Sequence, residues 1–305
     1  MAKGKTEKKK EIEVVGEKTI EVVSERVRKL MKDGELNLPD GYSPENALKS
    51  AWLVLQGTKD KNDKSVLEVC TKSSIANSLL DMVVQGLNPV KDQGYFIAYG
   101  DKLLFQRSYF GSMAIAKRVA GVKEILAEVV YDGDEFEYEI EDGYKKITKH
   151  KQGLENIDKG KIIAAYCIIH VDDEKHSRSQ YTEIMTMDQI TKAWKMSKAY
   201  GSDGTKAHKQ FPDQMAKKTI INRTCKSLIN ASMDNDLFIH HYSRTDYETS
   251  VDQLEKETEE SANQEFIDVE TEPEENGEVV DVEVDEEEKV EETKKTSKKE
   301  EDVPW

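Results

Sequence analysis

Arg107, Gly111, Ala114 and Arg118 follow one another at steps of four, three and four residues, a spacing that returns to one face of a helix with 3.6 residues per turn. Two guanidiniums on one face, with only small residues between them, would let an oxyanion chain come close and grip it through bidentate contacts. A helix N-terminus at the same place would add a favourable dipole. Tyr95, Phe96, Tyr99, Phe105, Tyr109 and Phe110 crowd the same stretch, and aromatic rings beside cations are what unstacked bases rest on. Strand alternation turns Phe96 and Phe105 inward and leaves Tyr109 as the stacking candidate. From Gln93 to Arg118 the chain holds Lys102, Gln106, Arg107, Lys117 and Arg118, with Asp101 as its sole acid. That is the chemistry of a surface for a phosphodiester backbone.

Two later stretches repeat the theme. In a helix over Asp188 to Ala199, Ile190 and Trp194 make the apolar stripe, and Lys192, Lys195 and Lys198 spread away from it. In a helix over Pro212 to Ala231, Thr219, Arg223 and Lys226 form one stripe and Ile221, Cys225 and Leu228 another, while Lys217 and Lys218 segregate less cleanly. A lysine on a solvated helix face ordinarily serves solubility alone. Three such elements in one body favour a polyanionic partner.

Enzyme chemistry fits the spacing poorly. Gly201 and Gly204 ahead of Thr205-Lys206 do not make the G-x-x-x-x-G-K-[ST] loop of a nucleotide hydrolase. Asp173-Glu174-Lys175 has the D-x-K form of a nuclease triad member, but it falls at an expected hairpin tip. The six histidines, His240-His241 among them, show no metal spacing with cysteine or carboxylate. No nucleophile with a nearby base stands out, so neither catalysis nor a metal or cofactor is expected. The alternatives are a nuclease or other DNA-modifying enzyme using Asp173, Lys175 or Asp213, and a passive single-strand binder.

Charge must be read by region. The 305 residues carry 45 Lys plus Arg and 61 Asp plus Glu, a formal net charge of -16. Residues 251–305 alone hold 6 basic and 23 acidic side chains, leaving 39 basic against 38 acidic in residues 1–250. The body is therefore about neutral, and a polyanion partner stays open to it. The acidic, apolar-poor stretch past Ser250 cannot bury enough surface to offset chain entropy and is expected to be disordered. The three cysteines, Cys70, Cys167 and Cys225, are far apart and form no C-x-x-C, which suits a reducing cytoplasm. The basic leader has no apolar region behind it, and no apolar run approaches the roughly 20 residues of a membrane span.

The elements that must position these side chains follow from periodicity and punctuation. Residues 1–16 read as a charged flexible leader and residues 17–250 as one domain. Helices are expected over Glu17–Met31, from Ser43-Pro44-Glu45 to Gly57, and over Lys64–Gln85, with Gly86 as a stop. A hairpin follows, Tyr95–Tyr99 and Lys102–Gln106 about a Gly100-Asp101 turn, then a helix over Ser108–Ala120. Strands are expected over 122–131, 135–141, 144–150, 161–171 and 177–185, ahead of the two late helices. The sum is an α+β fold: a small antiparallel sheet with a hairpin, packed by helices at both ends.

Gly86-Leu87-x-Pro89, the Gly94-Tyr95 to Tyr99 strand, and Phe105-Gln106-x-x-Tyr109-x-Gly111 with Lys117-Arg118 after it resemble the RecT family of phage single-strand annealing proteins. A second block, Met215-Ala216-Lys217-Lys218-Thr219 running on to Arg223 and Lys226, extends the likeness over roughly residues 45–235. The chain departs from the pattern at Phe211 and at Leu228-Ile229. The resemblance implies ATP-independent pairing of complementary DNA strands by a homo-oligomer, a ring or helical filament on single-stranded DNA and annealed duplex. It also implies a 5'–3' phage exonuclease as partner. By the same resemblance Lys102, Gln106, Arg107, Tyr109, Lys117 and Arg118 line one wall of a DNA groove. Lys192, Lys195, Lys198, Lys217, Lys218, Arg223 and Lys226 supply the other. The final Glu300-Glu301-Asp302-Val303-Pro304-Trp305 resembles the acidic tip of bacterial single-strand binding proteins, with Trp305 in place of phenylalanine. The acidic tail is expected to compete with DNA for basic surface, to reach the host single-strand binding protein or its partners, or to serve solubility alone.

Overall fold

Val23, Val27 and Leu30, spaced for one helix face, are buried on α1 (Ala2–Lys32). This helix already begins at Ala2, so the leader expected to be flexible is helical there, in keeping with the helix propensity of its Lys and Glu. The computed structural model describes residues 2–172, 179–196, 200, 204–232 and 235–246, with side chains from Gly16 onward. These lie in the first of two units, Met1–Val269; the second, Glu270–Trp305, and the whole of 251–305 fall outside the described residues.

α2 (Pro44–Gly57) starts as its residue types require: the Ser43 hydroxyl accepts from the Asn46 amide at 3.3 Å, with proline in the first turn. The single helix expected over Lys64–Gln85 is instead two, α3 (Val66–Val69) and α4 (Lys72–Val84). Thr71 causes the break. Its amide donates to the Asp101 carbonyl at 2.8 Å, and its hydroxyl accepts from the Ser74 amide at 3.2 Å to cap the second piece. α4 ends at Gly86 with φ +60°. The Gly86 amide donates to Val83 (2.8 Å) and the Leu87 amide to Met82 (3.1 Å), a Schellman closure that needs the left-handed residue.

β1 (Gly94–Tyr99) and β2 (Lys102–Arg107) pair antiparallel about Gly100, and α5 (Tyr109–Val119) follows. Next come β3 (Val122–Tyr131), β4 (Glu135–Glu141), β5 (Tyr144–Lys151), α6 (Leu154–Lys159), β6 (Ile162–Val171) and β7 (Gln180–Thr186). The strands form three antiparallel pieces: β1-β2, β3-β6-β7 and β4-β5. The chain closes the described region with α7 (Met187–Met196), α8 (Lys206–Gln210), α9 (Pro212–Ser232) and α10 (Asp236–Arg244). The class is α+β, as the periodicity predicts, although α6, α8 and α10 are additions. One apolar cluster joins α1, α2, α4, both faces of the Phe96–Phe105 contact, α5, the inner side of β3-β6-β7, and α9.

Two carboxylates pin the ends of this arrangement. Asp81 on α4 is buried and meets His241 Nδ1 at 2.5 Å and Arg244 Nε at 3.7 Å, which docks α10. Burial opposes its charge, but Arg244 and the His241 hydrogen bond outweigh it, so the carboxyl titrates below its ordinary value. Asp134 accepts from the Tyr131 amide (2.8 Å), Asn156 Nδ2 (2.9 Å) and Gln152 Nε2 (3.1 Å), with His150 Nε2 at 3.3 Å. Desolvation works against that charge too, yet the hydrogen bonds hold the carboxyl down at about 2.

Candidate nucleic-acid interface

The helical spacing of Arg107 and Arg118 does not survive the strand boundary. β2 runs through Arg107 and Ser108 is the N-cap of α5, so Arg107 is not a helical residue. Its side chain is buried, 7% exposed. Nη1 donates to the Tyr242 carbonyl (2.6 Å), Thr245 Oγ1 (2.8 Å) and Gln85 Oε1 (3.1 Å), and Nε donates to Ser112 Oγ (3.2 Å). The guanidinium carbon also lies 3.6 Å from the centroid of the Tyr242 ring. A buried cation needs such a cage.

Arg118 does a different job. Nη2 donates to the Gln85 carbonyl (2.6 Å) and Nη1 to the Gly86 carbonyl (3.0 Å), which closes the C-terminus of α4 with a charge of the favourable sign. Burial pulls its pKa below the ordinary guanidinium value, with Tyr42 acting the other way. Gly111 does not open a path to solvent either. A Cβ there would stand 2.2 Å from the Gln93 carbonyl oxygen and 2.8 Å from Arg107 Cγ, so the glycine is required for close packing of α5 against the hairpin. The α5 N-terminus is capped from within, the Ser108 hydroxyl accepting from the Gly111 amide at 3.2 Å. The arginine pair expected as an outward phosphate grip therefore frames the interior.

A cleft of about 260 Å³ opens instead between α7, α8, α9 and the end of α10, and it gathers Arg107, Lys218, Arg223 and Lys226 around Trp194 and His208. Residues from both expected groove walls thus line one cavity. Trp194 Nε1 donates to Thr219 Oγ1 at 2.7 Å, fixing the indole across the cleft. His208 stands edge-on to Trp194 with centroids 4.6 Å apart and to Tyr200 at 4.9 Å, and its Nδ1 lies 2.7 Å from Thr205 Oγ1. Burial lowers the Lys218 pKa. Burial and the neighbouring Lys218 lower that of His208. A half-desolvated ammonium of this kind gains more from an arriving anion than a solvated one does. Carboxylates already sit beside two of the cations: Asp246 Oδ2 is 2.6 Å from Lys226 Nζ, and Glu183 Oε1 is 3.7 Å from Arg223 Nε.

The remaining expected contacts scatter. Lys217 pairs with Glu128 at 2.6 Å and Lys192 with Asp188 at 2.7 Å. Lys117 and Lys195 are exposed, Lys102 is half-buried, and Gln106 is buried in the hairpin. Tyr109 is half-buried with its ring 4.0 Å from that of the exposed Phe110. Lys198, Asp173 and Lys175 lie outside the described residues, and Asp213 is in the first turn of α9. Among the described residues no group of three or more His, Cys, Asp and Glu is arranged to hold a metal ion, and no helix is long and apolar enough to cross a membrane. Sequence reasoning placed Trp194 in the core stripe and missed His208 and Tyr200 as its partners. The available signal was Thr205, an N-cap residue whose helix puts His208 three positions on.

The sequence model of the RecT family matches residues 45–264. Protein RecT of Escherichia coli (strain K12) is 29% identical over 169 residues, 52% of this chain and 59% of that protein. The matched stretch therefore spans less than two thirds of this relative's length. The family match over residues 45–264 takes in both blocks of residues described above, the hairpin with α5 and the cationic face of α9, and the chain belongs to the RecT family.

Proposed function

We propose that this chain binds single-stranded DNA and anneals complementary strands without ATP, as a recombination protein working in an oligomer on the DNA. The observation that carries this reading is the cleft where Lys218, Arg223 and Lys226 face Trp194 and His208. Cations there would hold the phosphates of a first strand, and contacts confined to the backbone make binding independent of sequence and steeply dependent on salt. In this reading Arg107 and Arg118 position the cleft and do not grip phosphate. Lys117 and Lys195, both exposed, are further phosphate contacts in this reading. A 5'–3' exonuclease that exposes single strands is the fitting partner, a single-strand binding protein or its partners a second one through the tail, and the cytoplasm the fitting compartment.

The test mixes two labelled complementary oligonucleotides with and without the protein, with no nucleotide present. Annealing predicts faster duplex formation. Lys218→Ala and Lys226→Ala should each weaken binding whatever the sequence and lower the slope of log affinity against log salt by roughly 0.7, the loss of one single-strand phosphate contact. Protection of the strands without faster pairing would make the chain a passive binder. Metal-dependent cleavage abolished by Asp213→Ala would make it a nuclease.

A further inference from the structure

Asp246 lines the cleft beside Lys226, and the fold fixes the chain just before it. The Arg107 amide donates to the Thr245 carbonyl at 2.8 Å, and the Thr245 hydroxyl donates to Gln85 Oε1 at 3.0 Å. The Asp246 amide donates to the Ser243 carbonyl at 3.2 Å. With the preceding residue tied to two distant segments, the Asp246 side chain is 15% exposed and its Oδ2 meets Lys226 Nζ at 2.6 Å.

Lys226 is a phosphate ligand in the reading above, so one ammonium has two claimants. A carboxylate oxygen and a phosphate oxygen are equivalent acceptors for it, since each is anionic and takes a charge-assisted hydrogen bond. Both cannot be held at full strength. Two acceptors on one tetrahedral ammonium stand about 4.5 Å apart, and at that range repulsion between the anions offsets much of what the lysine gives. A turn about the side-chain torsions of Asp246 relieves this without moving the backbone. Arg223 is a different case. Glu183 bridges it to Lys145, at 3.7 Å and 3.3 Å, and the Arg223 side chain is 62% exposed, with a fork of N–H donors to share.

We propose that Asp246 is an internal substitute for phosphate. Its carboxylate occupies Lys226 in the DNA-free chain, yields the ammonium to a phosphate of the arriving strand, and reclaims it when the strand leaves. The proposal rests on the single-strand reading above. It gives the cleft a tethered competitor, whose local concentration at Lys226 is set by the fold and not by the solution. Strand affinity is thereby held below what the cations alone would give, which suits a protein that must release the duplex it has paired.

The experiment titrates a labelled oligonucleotide with the full-length parent, Asp246→Asn, Lys226→Ala and the double variant at about 0.1 M salt, where charges more than about 10 Å apart are largely screened. Asp246→Asn should tighten binding by roughly 2-fold to 5-fold, the range of a partly exposed ion pair that no longer has to be broken. Asp246→Ala, which leaves no side-chain acceptor for Lys226, should reproduce the gain. Asp63→Asn releases Lys59 in the same way outside the cleft, and should change affinity by less than about 1.5-fold. In the Lys226→Ala background Asp246→Asn should lose most of its gain, because there is no ammonium to free. An equal gain with and without Lys226 would mark plain repulsion between Asp246 and the strand. Unchanged or weaker binding in Asp246→Asn would mark a carboxylate that holds Lys226 in place for DNA; each result overturns the proposal. Binding that responds to Lys226→Ala and not to Asp246→Asn leaves the single-strand reading standing without the exchange. Failure of the parent chain to bind the strand overturns that reading and the exchange together.

Discussion

Replacing Arg107 by alanine separates a framing role from a DNA-contacting one. The substitution removes four donor contacts, to Tyr242, Thr245, Gln85 and Ser112, and the stack on Tyr242. A hydrogen bond from a charged donor contributes about 1.5–3 kcal/mol, and a desolvated cation–π contact about 2 kcal/mol. The plain sum overshoots, because Thr245 Oγ1 still donates to Gln85 Oε1 at 3.0 Å when the guanidinium is gone. The loss should be about 3–5 kcal/mol, the scale for breaking a buried charge cluster. Urea unfolding followed by tryptophan fluorescence reads it directly. With a slope of about 2–3 kcal/mol/M the midpoint should fall by about 1–2 M. Arg107→Lys keeps the charge but replaces a planar fork with a point donor, and should fall between the two. At temperatures where Arg107→Ala stays folded, its affinity for single-stranded DNA should change far less than that of Lys226→Ala. An Arg107→Ala protein as stable as the parent, with a flattened salt slope, would refute the reasoning and return the residue to the phosphate wall.

Two further outcomes follow from the geometry. Asp134 has a folded-state pKa of about 2, below its ordinary carboxylate value. Its stabilisation is fully present above the unfolded value near pH 4 and drains away as pH falls through about 2; Asp134→Asn should therefore flatten the acid limb of stability against pH, and an unchanged limb would count against the turn network. Gly111→Ala should destabilise by about 1–3 kcal/mol or more through overpacking, because its Cβ would fall 2.2 Å from the Gln93 oxygen; an unchanged thermal midpoint would show that α5 is free to move off the hairpin.

Local signals were legible where the physics is local. Ser43-Pro44, the Gly86 stop, the Gly100 turn and the alternation that buries Phe96 and Phe105 all act within a few residues, and each is where the sequence puts it. Arg107 was misjudged because helical spacing was carried one residue too far upstream, across a strand end that only the Ser108 cap reveals. Its acceptors also lie far off in the chain, on Tyr242 and Thr245, which no window around residue 107 contains. α10 was missed although Asn235 caps it, with the Phe238–Tyr242 pair one turn apart. Lys218 and Lys226 drew notice as charges, but their meeting with Trp194 and His208 depends on how α7 and α8 fold back on α9.

Gln85 reaches every part of this frame. Its side-chain oxygen accepts from Arg107 and Thr245, its side-chain nitrogen donates to the Asp81 and His241 carbonyls, and its own carbonyl accepts from Arg118. Three segments distant in the chain thus close on a single residue. A chain cut after α9 would retain Gln85 and Arg107 but lose the Tyr242 carbonyl and the Thr245 hydroxyl, stranding a guanidinium in the interior. The minimal autonomous fragment of this protein is therefore bounded at its C-terminal side by a polar contact, and it ends no earlier than Thr245.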